Sequence, residues 1–168
     1  MITPTGTPRP DPLDLSKSKA APEGAAEMAR RKGKAMILLA DDEAMNVTLL
    51  SRGLGGDDRY FFKSSDGIEA LAVLRSVKVN LVISDLMMPN MDGLGLLAEV
   101  KKLQPGAGFI LASGDITDDE RKKALGMGAD AVFDKPYDMS LLKRMVAEVL
   151  AMHPLDDSPS TDPNPYPL

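Results

Sequence analysis

Apolar runs and turn signals alternate along the middle of the chain. Five short aliphatic or β-branched runs stand out: Met36–Ala40, Tyr60–Lys63, Val79–Asp85, Phe109–Ala112 and Ala131–Asp134. Runs of this length between turn residues predict buried strands. Between them the apolar period lengthens to that of a helix. Val47, Leu50 and Leu54 share one face of a helix over 44–54, closed by Gly55-Gly56. Asp66-Gly67-Ile68-Glu69 has capping-box spacing with Asp at the cap, and opens a helix with Ile68, Leu71 and Leu74 inward. Leu96, Leu97, Val100 and Leu103 line a helix over 94–103 that Pro105-Gly106 stops. Thr117-Asp118-Asp119-Glu120 is a full capping box for a short helix closed by Gly126 and Gly128. The last helix, over 140–152, turns Leu142, Met145 and Val149 inward and ends at His153-Pro154.

Five strands alternating with five helices through short connections predict right-handed crossovers: an α/β fold with a parallel sheet covered on both faces. This domain occupies 35–152. Before it, residues 1–34 hold a Pro-rich arm that cannot bury a core, then an Ala-rich, basic flank (Arg30, Arg31, Lys32, Lys34) with the makings of a short helix. The basic cluster reads as a solvated flank, with contact to an acidic partner the alternative. Residues 153–168 read as a disordered, acidic, Pro-rich tail, and His153 as a solvated cap.

Composition narrows the class. The net charge of −5 argues against nucleic-acid binding, and the absence of cysteine excludes disulfides and thiol chemistry. With no apolar signal core and no run long enough to span a bilayer, the expectation is a cytoplasmic protein without a membrane partner. Only seven aromatic residues are present, so the core must be aliphatic and methionine-rich.

The polar residues at the strand ends carry the chemistry. The first strand ends in Asp41-Asp42, the third in Asp85, the fourth in Ser113 and the fifth in Lys135. A parallel sheet gathers these on one edge, outside the carboxyl ends of the strands, where open α/β sheets bind ligands. Three converging carboxylates repel one another, and a hard divalent cation such as Mg2+ relieves the conflict. A lysine and a hydroxyl beside them suit an incoming phosphoryl group, which Asp85 can attack as a nucleophile to form an acyl phosphate. For Asp41-Asp42 taken alone, a helix N-terminal cap is the competing reading.

In combination, Asp41-Asp42, Asp85 with Met87-Met88-Pro89-Asn90-Met91-Asp92-Gly93 after it, Ser113-Gly114, and Gly128-Ala129-Asp130 through Lys135-Pro136 resemble the receiver domain of two-component response regulators. The resemblance covers roughly 34–152. It implies a flavodoxin-like five-stranded sheet in the order 2-1-3-4-5, and phosphoryl transfer to Asp85 from a histidine kinase or a histidine phosphotransfer protein. It further implies Mg2+ held directly by Asp42, Asp85 and the Met87 carbonyl, with Asp41 acting through water. Ser113 would move toward the phosphate and Lys135 pair with it. Such a domain is not an enzyme on outside substrates; it catalyses only its own phosphoryl transfer and dephosphorylation. A cis peptide bond is expected between Lys135 and Pro136.

Two residues depart from the family pattern. Val132 stands where an aromatic usually follows the hydroxyl residue's move, and Phe133 should face the other way. Met87 stands where many members place a polar side chain beside the hydrolytic water. The methionines Met87, Met88 and Met91 read as loop packing. Too little chain follows the last helix for an output domain, so the sequence predicts a stand-alone receiver. Its target would be a protein met through the fourth helix, fifth strand and fifth helix. The alternative function is a phosphorylation-independent binding or scaffold module on the same fold. A haloacid-dehalogenase-type phosphatase would need a second Asp where Met87 stands.

Overall fold

The computed structural model describes residues 23–154. The elements run α1 (Glu23–Arg31), β1 (Ala35–Ala40), α2 (Ala44–Gly53), β2 (Arg59–Ser64), α3 (Gly67–Ser76), β3 (Leu81–Asp85), α4 (Gly93–Leu103), β4 (Gly108–Ser113), α5 (Asp118–Gly126), β5 (Ala131–Asp134) and α6 (Met139–Met152). The strands form one parallel sheet in the order β2-β1-β3-β4-β5, as the sequence predicts. The helix count is one higher than expected, because the Ala-rich flank is itself helical. α1 keeps its place by burying Ala26 and Ala29, three residues apart on one face, against the core. The arm and tail predicted to be disordered lie, but for the α1 flank and His153-Pro154, outside the described residues.

Alternation along the strands sorts side chains between two cores. Met36, Leu38 and Ala40 of β1 face one side, with Val82, Phe109 and Leu111, under α1, α3, α4 and α5. Ile37 and Leu39 face the other, with Ile83, Ile110 and Phe133, under α2 and α6. A strand used on both faces has no polar positions to spare, hence the unbroken run in β1. Val132 and Phe133 fall on opposite faces as expected.

One inward assignment fails. Ile68 is 39% exposed, and α3 instead buries Ala70, Leu71, Val73 and Leu74. The buried stripe runs through Gly67, Ala70, Leu71 and Leu74, and Ile68 lies beside it on the helix surface. On α6 the inward assignments hold: Leu142 and Val149 are buried together with Val146, and Met145 packs against the same core while partly covered.

Caps hold the helix entries. Asp66 accepts from Glu69 N (2.7 Å) and Asp92 from Gly95 N (2.7 Å). The predicted capping box of α5 is complete: Glu120 N donates to Thr117 Oγ1 (3.2 Å), and Thr117 N to Glu120 Oε2 (2.9 Å). Each such cap is worth about 1 kcal/mol.

Candidate functional site

The carboxyl ends of β1, β3, β4 and β5 bring together Asp41, Asp42, Asp85, Ser113 and Lys135, as the strand-end reasoning requires. Asp41 and Asp85 are buried, and Asp42 is exposed. The three acids each offer a carboxylate oxygen, and these lie within 4.8 Å of one another. Lys135 Nζ donates to Asp41 Oδ2 at 2.8 Å and stands 3.4 Å from Asp85 Oδ2. The second Asp41 oxygen accepts from Glu43 N at 2.9 Å, which also anchors the chain as it enters α2.

The electrostatics follow from this packing. Burial pushes the Asp85 carboxyl above its usual pKa; Lys135 opposes that shift, and the Asp41 charge adds to it. Burial also works against a charged Lys135. The hydrogen bond and charge of Asp41, with the charge of Asp85, outweigh it and raise the Lys135 pKa. The ammonium therefore persists across the physiological range. One lysine faces two buried carboxylates, so the cluster is left with surplus negative charge and room for a cation.

Ser113 is buried at the end of β4. Its Oγ accepts from Asp115 N (3.2 Å), which leaves the hydroxyl proton without an acceptor among the described residues. The β5 continuation is held beside it by Lys135 N donating to Ser113 O (2.9 Å), and the Lys135-Pro136 bond is cis.

The loop after Asp85 is fixed by its unusual residues. Asn90 adopts φ 68°, a left-handed conformation that asparagine tolerates, and its Nδ2 donates to Asp66 Oδ2 at 2.8 Å. Gly93 packs on the backbone of the acid itself. A Cβ there would strike the Asp85 carbonyl oxygen and come within 2.9 Å of Leu86 Cα. Met88 and Met91 pack against the core as expected. Met87 does not: it is 70% exposed, while its backbone N–H weakly opposes the rise in the Asp85 pKa.

One neighbour escaped the sequence reading. Tyr137 is largely covered, and its ring centroid lies 6.0 Å from Lys135 Nζ and 6.4 Å from the Phe133 ring. Burial, then the charges of Asp41 and Asp85, hold its phenol far above the usual range. An aromatic two residues beyond a strand-end lysine was the available signal.

Comparison with known proteins agrees with this geometry. Residues 37–147 match the family model described as response regulator receiver domain. The chain is 32% identical over 112 residues to the sensor histidine kinase RcsC of Salmonella typhimurium, covering 67% of this chain but only 12% of that kinase. It is 28% identical over 114 residues to the chemotaxis protein CheY of Halobacterium salinarum, covering 68% of this chain and 95% of that protein. Among solved structures, the signal receiver domain of an HD domain-containing protein from Pseudomonas fluorescens superposes with a TM-score of 0.68 and 30% identity, over 71% of this chain and 97% of the other. Among the described residues no helix is long and apolar enough to cross a membrane. With the sheet order, the acid cluster and the sequence match in agreement, the chain belongs to the response regulator receiver domain family.

Proposed function

We propose that this receiver is switched by phosphorylation of Asp85, with a phosphohistidine on a histidine kinase or phosphotransfer protein as donor. The observation that carries the reading is the position of the Asp85 carboxylate: buried at the end of the central strand, 3.4 Å from the Lys135 ammonium that it shares with the Asp41 carboxylate. An Asp85 oxygen attacks phosphorus, the P–N bond of the donor breaks, and the imidazole leaves with a proton from solvent. Lys135 neutralises the phosphoryl oxygens as they approach. Ser113 supplies the hydroxyl proton that now lacks an acceptor, a charge-assisted hydrogen bond available only once the phosphoryl group is present.

The donor set fits Mg2+: all oxygen, more negative than Lys135 alone offsets, and open to solvent at Asp42. Asp42, Asp85 and the Met87 carbonyl would hold the ion, with Asp41 in its outer sphere. Bound there, it would screen the charge of the attacking and transferring oxygens. Intact mass after incubation with acetyl phosphate and Mg2+ tests the assignment: wild type gains one phosphoryl group and Asp85→Asn none. Equal labelling of the two proteins would sink it.

The output surface is the face formed by α5, β5 and α6, read by a protein partner. Val132 sets its amplitude. It is β-branched, with a restricted χ1 and no ring to swing. Arg121 further ties α5 to β5, 2.8 Å from Asp134 Oδ1 and 3.4 Å from the Val132 carbonyl. With one of the two usual contacts missing, phosphorylation is expected to change partner affinity by only about tenfold. Val132 is also what favours the second reading, a phosphorylation-independent binding module. Partner affinity identical for free and phosphorylated protein would select that one.

A further inference from the structure

A cleft of ≈ 460 Å³ lies at the amino edge of the sheet, at the far end of the strands from Asp85. Its charged lining is Arg30 from the last turn of α1, Lys34 before β1, and Asp58 and Arg59 where β2 begins. None of the three cations enters an ion pair among the described residues. Asp58 alone offsets them, so the cleft is cationic. Arg59 is partly anchored in the fold. Its Nη1 donates to the Leu54 carbonyl (2.8 Å), but its Nε is buried without a partner, the one such side-chain atom among the described residues. That nitrogen is covered by the protein, so Arg59 meets the cleft with its other atoms. α6 adds apolar lining through Ala147 and Leu150. A basic last turn of α1 is itself favourable to the helix dipole. That accounts for Arg30, not for Lys34 and Arg59 converging on the same cleft from other elements.

We propose that this cleft binds a small phosphate monoester with a compact apolar body. The phosphate sits among Arg59, Lys34 and Arg30, and the body lies against Leu150 and Ala147. Asp58 accepts from a hydroxyl where the ligand has one. Arginine's fork suits phosphate, and the apolar wall gives an ester the advantage over the bare anion. The proposal does not depend on the role of Asp85.

The test is an NMR titration of the full chain in EDTA with phenyl phosphate and with inorganic phosphate. Amide shifts are expected at Lys34, Arg59 and along 147–151, with phenyl phosphate bound at least about threefold more tightly through its ring. Lys34→Gln should weaken phenyl phosphate about tenfold, the loss of one charge-assisted contact. Arg59→Gln should do the same; because Arg59 is partly structural, Lys34→Gln decides if that variant fails to fold. Shifts centred on Asp41 and Ser113, shifts scattered over unrelated lysines, or an affinity unmoved by Lys34→Gln would overturn the site. Equal affinity for the two probes would overturn the ester. Labelling of Asp85, read separately by intact mass, should be unchanged in Lys34→Gln, so failure here and failure of the phosphoacceptor assignment are separable.

Discussion

The two edges of the one sheet differ in how they treat their buried polar groups, Arg59 Nε at the amino edge being the exception to the pairing found there. At the amino edge, Asn80 opens β3 and spends both ends of its amide: Oδ1 accepts from Met36 N (2.8 Å), and Nδ2 donates to the His153 carbonyl (3.0 Å). Gln104 donates to the Leu74 and Val77 carbonyls (2.8 and 2.7 Å) and accepts from Val79 N (2.9 Å). Asp130 accepts from Phe109 N and meets His153 Nε2, both at 2.9 Å, while His153 Nδ1 reaches the Gly106 carbonyl at 2.9 Å. These groups are paired inside the fold. At the carboxyl edge, by contrast, two buried carboxylates share one lysine and a buried hydroxyl keeps its proton unused. The first arrangement holds the strands together. The second leaves stability unclaimed and keeps a charge imbalance that an arriving cation and phosphoryl group resolve.

The largest effect should come from breaking the amino edge. Asn80→Ala strands the Met36 N–H and the His153 carbonyl, and is expected to cost about 2–4 kcal/mol in urea denaturation. The folded fraction should still accept a phosphoryl group. A loss below about 1 kcal/mol would show that this network is not structural.

Asp42→Ala sharpens the contrast from the other end. The residue is exposed, so stability should move by less than about 0.5 kcal/mol, while Mg2+ affinity falls about tenfold or more. Unchanged affinity by fluorescence or NMR titration would remove Asp42 from the metal site.

Asp85→Asn should stabilise the metal-free protein. Burial, only partly opposed by Lys135 and reinforced by Asp41, raises the folded-state pKa of Asp85 above its unfolded value. The contribution of this group is therefore fully present below the unfolded pKa and lost as pH rises through the folded one. Asparagine is neutral throughout. Its advantage over wild type should be present at pH 7, reduced by the water that reaches the cluster, and close as the pH is lowered through the carboxylate range, as read from urea denaturation of both proteins. An advantage that grows on acidification would reverse the assignment of cause.

The smallest effect concerns phosphate lifetime. The Met87 side chain offers the hydrolytic water no strong hydrogen bond, so Met87→Asn should hasten loss of phosphate by roughly two- to fivefold. An unchanged or slower decay would mean that Met87 does not limit hydrolysis.

These two edges also differ in how far the sequence discloses them. Asp85, Lys135 and Ser113 were legible because each ends an apolar run, and a parallel sheet puts all such ends on one side. Periodicity carries that information and little else. It says nothing of Asn80, whose partners lie 44 and 73 residues away in the chain. It read His153 as a solvated cap, although the side chain is 19% exposed and bound at both ring nitrogens. Long-range hydrogen bonds leave no periodic trace, since any buried backbone group will serve as partner. The same limit hid Tyr137, whose importance lies in a ring-to-ammonium distance and not in a spacing. Ile68 failed for a local reason: an apolar pattern weighs large side chains, whereas the first turn of α3 buries the small Gly67 and Ala70 and leaves Ile68 beside them.

The placing of β1 has a consequence for how the protein is made. This strand is buried on both faces, yet it precedes both of its neighbours in the chain: Ala35 pairs with Arg59, and Ile37 with Leu81. A ribosome adding roughly 5–20 residues per second leaves Met36 waiting about 2–9 s for Asn80, 44 residues later, to be synthesised. For that interval Met36-Ile37-Leu38-Leu39 is a nascent apolar segment with its sheet partner on β3 still unmade. During that interval it is open to a chaperone or to a neighbouring nascent chain.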